Sequence, residues 1–414
     1  MGSFEKSIAN AILERIRARR ESSVDRHDPI QPAGTAAPAR LREALFSDFE
    51  AVRELKRRWG LIPDSFDNWE RLWRRNPALQ HPQFAPPIGW VLVSEGRPVG
   101  YLGNVPSLYR YGDRTLTAVT GHGFVVEPAH RAVSLTLMAA FFRQKSVDLY
   151  LTTTAIAAVG KITRAFKSDP LPQPDYEKVL FWVLQPGLFA RNVMAKLRIQ
   201  PTLSAVGGTI ASLAIRTDNV FRRRWPRGGS RSVSVKKILV NDIGDDFQSL
   251  WERKLGEGPR LLADRSPATL QWHFETPGDP GTTSVFSCYR NKELVGYAVI
   301  RDDPKQATGS RRSVIADMLA QRVDPEVLRA LFVAAYHHAK GAGSHTLELL
   351  GFPHNVREVC LQWNPYSRKY PACPFFYKAA DPALHKTLAE SSLWYASPFD
   401  GDTTLMPLLG STNE

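Results

Sequence analysis

The segment Gly121-His122-Gly123-Phe124-Val125-Val126-Glu127-Pro128-Ala129-His130-Arg131 ends an apolar run, breaks it at a proline and opens a helix beside an arginine. Free N–H groups at a helix start, the positive end of the helix dipole and a guanidinium together make an anion-binding corner. Two groups near that corner can carry protons. His122 titrates near neutrality and sits between two glycines that leave room for backbone or substrate, and Glu127 lies where the strand ends. Within the helix start, Ser134 is small and can donate a hydrogen bond, whereas Thr136 is β-branched and crowds a close approach.

Other chemistry-bearing residues point elsewhere. His337 and His338 are neighbours in a helical run, so their side chains face different directions and do not make a metal pair. Asp400-Gly401-Asp402 reads as a turn. There is no Ser–His–Asp spacing and no G-x-x-x-x-G-K phosphate loop. Cys288, Cys360 and Cys373 lack C-x-x-C spacing, which argues against a disulfide framework or zinc knuckle and predicts a reducing, cytoplasmic setting without a metal. An excess of 54 basic over 41 acidic side chains, +13 in all, favours acidic partners such as phosphorylated cofactors, a carrier protein, tRNA or anionic lipid.

The elements that must position these residues come in two similar sets. The first half runs Leu72-Trp73, Pro77, a strand from Gly89 to Val93, a turn at Glu95-Gly96 and then Val99-Gly100-Tyr101. The second half runs Leu270, Trp272, Pro277, a strand from Ser284 to Tyr289, a turn at Asn291-Lys292 and Val295-Gly296-Tyr297. Period-2 strands around a tight polar turn predict a hairpin in each copy. Strands at 116–126 and 148–154 with helices at 131–145 and 155–166 continue the first copy. Strands at 313–319 and 346–350 with helices at 325–340 and 356–363 continue the second. This order predicts an α/β tandem duplication, each copy a mixed, mostly antiparallel sheet flanked by helices.

Boundaries follow from composition. Residues 1–40 are expected to form an amphipathic helix, with Phe4, Ile8, Ile12 and Ile16 four apart, and a Pro/Ala/Ser-rich tether. That helix suits docking or a membrane surface. Domains are expected at 41–184 and 236–414, joined by a basic connector at 185–235 that carries Arg222, Arg223, Arg224, Arg227 and Arg231. The longest uncharged run, Ile199 to Ile215, is too short and polar to span a bilayer.

The succession of early tryptophans, hairpin with V-G-Y, strand with V-V-E-P-A-H-R and then Asp148 to Ala155 resembles the GNAT acyl-CoA N-acyltransferase superfamily over residues 41–184. The second half resembles the same fold more distantly. The resemblance implies that Val125, Val126, Arg131, Ala132, Val133, Ser134, Leu135 and Thr136 bind an acyl-CoA, acetyl-CoA being the expected donor. In the superfamily's arginine-and-glycine loop pattern Arg131 matches, while Ser134 and Thr136 stand at glycine positions. The implied reaction moves an acyl group to an amine of a small molecule, sugar or amino acid. His122 is expected to take the amine's proton, with Glu127 as second choice. The superfamily's leaving-group tyrosine is replaced here by Thr163, so Tyr150, Tyr176 or solvent is expected to protonate the thiolate. In the second copy Val323-Asp324-Pro325-Glu326 stands at the loop, and its carboxylates would repel a pyrophosphate. That copy is expected to shape the acceptor cleft or a homodimer surface. Two alternatives on the same fold are a Fem-like transferase using aminoacyl-tRNA and a non-catalytic binding module.

Overall fold

A computed structural model describes residues 37–154, 157–196, 201–228, 232–275, 282–303, 310–369 and 374–405. The expected N-terminal helix, most of its tether, Arg231, Pro277 and Cys373 lie outside them. In the first half, β1 (Arg40–Glu43) precedes α1 (Phe49–Arg58), α2 (Phe66–Trp73), β2 (Gly89–Ser94), β3 (Arg97–Tyr111) and β4 (Arg114–Val126). A 3₁₀ helix, Pro128–Val133, leads into α3 (Leu135–Phe142), followed by β5 (Leu149–Thr152), α4 (Ala157–Ala165), β6 (Asp169–Pro170) and β7 (Lys178–Val183). The expected connector is largely helical, with α5 (Pro186–Lys196) and α6 (Pro201–Phe221). The small residues Gly208 and Ser212 of α6 face Arg191 and Gly187 of α5, so the two helices approach closely. In the second half come β8 (Ser234–Ile238), α7 (Asp245–Leu255), β9 (Leu261–Ala263), α8 (Pro267–Phe274), β10 (Thr283–Arg290), β11 (Glu293–Asp303) and β12 (Arg312–Ala320). Next come α9 (Pro325–Gly341), β13 (Thr346–Leu349), α10 (His354–Leu361), β14 (Tyr366–Lys369), β15 (Phe376–Ala379) and a short helix α11 (Pro382–Thr387).

Local chemistry accounts for the boundaries that matter to the site. Ser65 caps α2 by accepting from the Asn68 amide at 3.1 Å, and Trp69, Leu72 and Trp73 bury one face of that helix. Ser266 and Pro267 stand at the start of α8 in the second half, where the Ser266 hydroxyl donates to Asp264 at 2.8 Å instead of capping the helix. Both V-G-Y glycines lie opposite the residue just before a β-bulge. Gly100 pairs with Leu92 and Gly296 with Cys288, and each register shifts at the next step. At Gly296 a Cβ would come 2.6 Å from the Val327 side chain and 2.8 Å from the Leu319 carbonyl oxygen, so α9 and β12 pack directly on the backbone.

The first sheet runs β1-β2-β3-β4-β5-β15-β6, with β9 added beside β3, and the second runs β14-β7-β13-β12-β11-β10-β8. Among the described strand pairs, β4–β5 and β12–β13 are parallel and the others antiparallel. Neither sheet is built by one half alone. β15 pairs with β5 and β6 of the first sheet, while β7 pairs with β13 and β14 of the second. The break expected at 184 therefore follows the chain but not the sheets. One large core joins the halves, with Tyr109, Leu149 and Leu151 packed in the same cluster as Phe247, Val285 and Phe332.

Candidate functional site

β4 pairs in parallel with β5 only from Ala118↔Leu149 to Thr120↔Leu151, yet it continues to Val126 along β3. From Gly121 onward its other edge parts from β5. The register against β3 shifts here, between Tyr101 and Gly103, and Gly123 has φ +63°. A Cβ on Gly123 would stand 2.7 Å from the Lys56 ammonium, so glycine serves both the backbone turn and the close approach of α1.

The irregular stretch turns His122 toward Trp73 of α2, ring centres 6.3 Å apart, on the side of the sheet covered by α1 and α2. Only 2% of His122 is exposed. Its Nδ1 lies 3.0 Å from Oδ2 of Asp402, whose Oδ1 accepts from the hydroxyls of Thr153 at 2.7 Å and Thr154 at 3.0 Å. Its Nε2 has no hydrogen-bond partner and lies 3.6 Å from Oδ1 of Asp64. Asp64 in turn meets Lys56 at 2.5 Å and accepts from Asn68 at 2.7 Å. Burial disfavours the imidazolium, but Asp402 and Asp64 outweigh it, and the pKa of His122 rises above its ordinary value. When neutral, His122 donates from Nδ1 to Asp402 and keeps an acceptor lone pair at Nε2. Asp64 is also buried, yet Lys56 and His122 hold its pKa well below the usual carboxylate range. A cavity of about 30 Å³ lined by Thr120, Tyr109, His273 and Gly401 has room for a water molecule rather than a substrate.

The other expected site residues are dispersed. Arg97 grips Glu127 with two bonds of 2.6 and 3.1 Å, and Arg58 adds a third of 2.7 Å. Although burial pushes the Glu127 carboxyl up, these arginines hold it below its usual range, which makes it a poor proton acceptor. Tyr150 is in register with Val119 and packs toward α3, its ring 5.7 Å from Phe141, while its hydroxyl donates to the Gln144 carbonyl at 2.7 Å. That is the opposite side of the sheet from His122. Burial raises the Tyr150 pKa to about 12. Tyr176 packs against Phe375 in the joint core, and the Thr163 hydroxyl donates within α4 to Val159. Tyr101 is on the His122 side. Its hydroxyl is buried without a hydrogen-bond partner, and burial with the charge of Asp64 raises its pKa well above normal.

At the anion corner Arg131, Ala132, Leu135 and Thr136 are exposed, and Val133 and Ser134 are half-buried. The hydroxyls of Ser134 and Thr136 donate to the carbonyls of Arg131 and Val133, each at 2.7 Å. The Arg131 guanidinium is exposed at this corner, while the Ser134 and Leu137 amides already donate to the Arg131 and Ser134 carbonyls at 3.1 and 3.2 Å. Val125 is buried beside Tyr101, and Val126 is half-buried opposite Gly100, so both offer backbone at the open edge of β4.

The second half carries a counterpart with its charges reversed. Just as Gly103 faces His122, Val299 faces Asp317, two residues after the tyrosine of each V-G-Y. Asp64 and Arg265 each immediately precede the serine that opens α2 or α8. Where the first half sets Asp64 against His122, the second sets Arg265 against Asp317, with bonds of 3.0 and 3.1 Å and no exposure of either. Tyr297 also donates to Asp317, at 2.7 Å. Every group there is engaged, and Arg290 binds Asp324 and Glu326 at the neighbouring loop. Asp402 and Asp64 are the site residues that sequence reasoning missed. Asp-Gly-Asp signals a turn, and the contact with His122 spans 280 positions.

No protein-family model and no curated protein sequence matches the chain. Among solved structures it is similar to a GCN5-related N-acetyltransferase from Anabaena variabilis, with 10% identity, 83% of this chain and 73% of that chain covered, and a TM-score of 0.52. A GCN5-related N-acetyltransferase from Kribbella flavida gives 13%, 83%, 71% and 0.51. Saccharomyces cerevisiae N-myristoyltransferase with bound myristoyl-CoA gives 12%, 84%, 81% and 0.51. The chain has the GNAT fold, in two tandem units whose mixed sheets are mostly antiparallel and flanked by helices.

Proposed function

We propose that this chain transfers an acyl group from an acyl-CoA, with acetyl-CoA the donor of choice, to an amine, and that the first unit does the chemistry. The observation that carries the reading is His122, held at Nδ1 by Asp402 with Nε2 uncommitted, on the strand whose edge parts from β5. The residues present fit a CoA thioester. Arg131 and the start of α3 suit its phosphates, and the open edge of β4 offers backbone to its amides. Thioesters supply an activated carbonyl. Attack by the amine forms the C–N bond, breaks the C–S bond and leaves one proton on nitrogen and one thiolate to be protonated. His122 Nε2 takes the first proton, and the resulting imidazolium is stabilised by Asp402 and Asp64. Tyr101 is the hydroxyl on that side, but burial beside Asp64 holds its proton tightly, so solvent protonates the thiolate. The second unit, with Asp317 locked by Arg265, serves as scaffold.

Calorimetry with CoA and thiol release from acetyl-CoA in the presence of amines test this reading. The native chain should bind CoA, and Arg131→Ala should weaken binding roughly ten- to hundredfold, the range for charge-assisted contacts. His122→Ala should leave CoA affinity intact while lowering thiol release by about 10²–10⁴. Absence of CoA binding by the native protein defeats the proposal.

A further inference from the structure

From the exposed face of α6 we infer that this chain docks on anionic lipid bilayers. α6 has two unlike sides. Gly208 and Ser212 face α5, and the opposite arc carries Ile210, Leu213, Val220 and Phe221, exposed by 65%, 67%, 66% and 86%. The spacings of three, seven and one place these four side chains along one stripe of the helix. From Ile210 to Phe221 that stripe runs about 16 Å at the rise of an α-helix, long enough to lie along a membrane surface. Isolated exposed apolar residues need no explanation, but an aligned set of four marks a contact surface.

Charge selects the occupant. Arg216, Arg222, Arg223 and Arg227 are exposed at the flank and C-terminal end of the stripe. The nearby acid, Asp218, is engaged by Arg222 at 2.9 Å, by Arg224 at 2.7 Å and by the Tyr366 hydroxyl. Trp225, with Arg227 stacked 4.9 Å from its ring, stands at the same end, and a half-exposed tryptophan suits the headgroup level. A second copy would bring its own arginines to this surface, whereas an anionic bilayer supplies both the apolar depth and the opposite charge. No described helix is long and apolar enough to cross a membrane, so contact would be along the surface.

Flotation of the full chain with vesicles tests the inference, comparing phosphatidylcholine alone with phosphatidylcholine plus phosphatidylserine. Binding should require phosphatidylserine and fall with added salt. The double variant Leu213→Glu, Phe221→Glu should abolish flotation, and Arg222→Glu with Arg223→Glu should weaken it by about tenfold or more. Circular dichroism and CoA binding should be unchanged in each variant. Native protein that does not float with either vesicle overturns the inference. So does flotation unaffected by these substitutions, which would assign membrane contact to another segment. Loss of self-association in the Leu213→Glu, Phe221→Glu protein, with no vesicle binding by the native chain, would instead make this face a contact between copies.

Discussion

Replacing Asp402 by Asn keeps the size of the side chain and removes the charge facing His122 at 3.0 Å. Burial alone would push the imidazole down, so the net upward shift from 6.5 is the work of Asp402 and Asp64. On the proposed reaction a base must be neutral before it accepts a proton, which places the acidic limb of kcat/KM above 6.5 in the native protein. Asp402→Asn should move that limb to lower pH and reduce the maximal rate while CoA affinity holds. An unmoved limb in a folded variant would deny Asp402 this role. The same contact affects stability with a definite sign. Because the folded pKa is raised, its contribution is complete below 6.5 and is lost as pH climbs through the raised value. Denaturant titrations of native and Asp402→Asn protein should therefore differ more at acid than at alkaline pH. At this scale His122 is legible in the sequence, because flanking glycines on a strand before a helix start are a local signal. Asp402 is not, since only the folded chain carries it across the fold to β4.

At the scale of elements, the bulge in β4 decides where His122 points. Gly123 makes that bulge with φ +63°, and Lys56 fills the space where a Cβ would stand. Gly123→Ala should cost about 1–2 kcal/mol from left-handed backbone strain, with a further cost if Lys56 shifts away from Asp64. Equilibrium unfolding measures the first effect. An acidic limb displaced by the loss of the Lys56–Asp64 arrangement would report the second. A variant as stable as the native chain would show that β4 relaxes without the bulge. Strands, helices and hairpins here are readable to within a few residues, since alternation and helical periodicity are local. The 3₁₀ opening of α3 is less so. Pro128 starts a turn that tightens before it becomes an α-helix, which leaves the helix proper at Leu135 rather than Arg131. The stretch expected as connector is helical because small residues let α5 and α6 meet, a reason visible only once both helices are present.

At the scale of the whole molecule, the two units are tied by more than proximity. The turn Asp400-Gly401-Asp402 reaches both equivalent positions, with Asp402 on His122 and Asp400 3.5 Å from Arg265. β7 and β15 are exchanged between the sheets, and no local pattern foretells which sheet a strand will join. The exchange makes a testable claim about folding. A fragment ending at 228 contains β1 to β7 but lacks β15, so β5 loses its antiparallel partner and β7 has no sheet to enter. A fragment from 232 keeps β15 but lacks β7, which sits between β13 and β14 and hydrogen-bonds to both. Each piece alone would expose long strand edges and half of a shared core, the condition under which chains aggregate. Produced together, the pieces should assemble into one complex that melts in a single cooperative transition and binds CoA. Produced singly, neither should show a sharp thermal transition or CoA binding. A first fragment that melts cooperatively by itself would show that β15 is dispensable and that the exchange follows folding rather than permitting it.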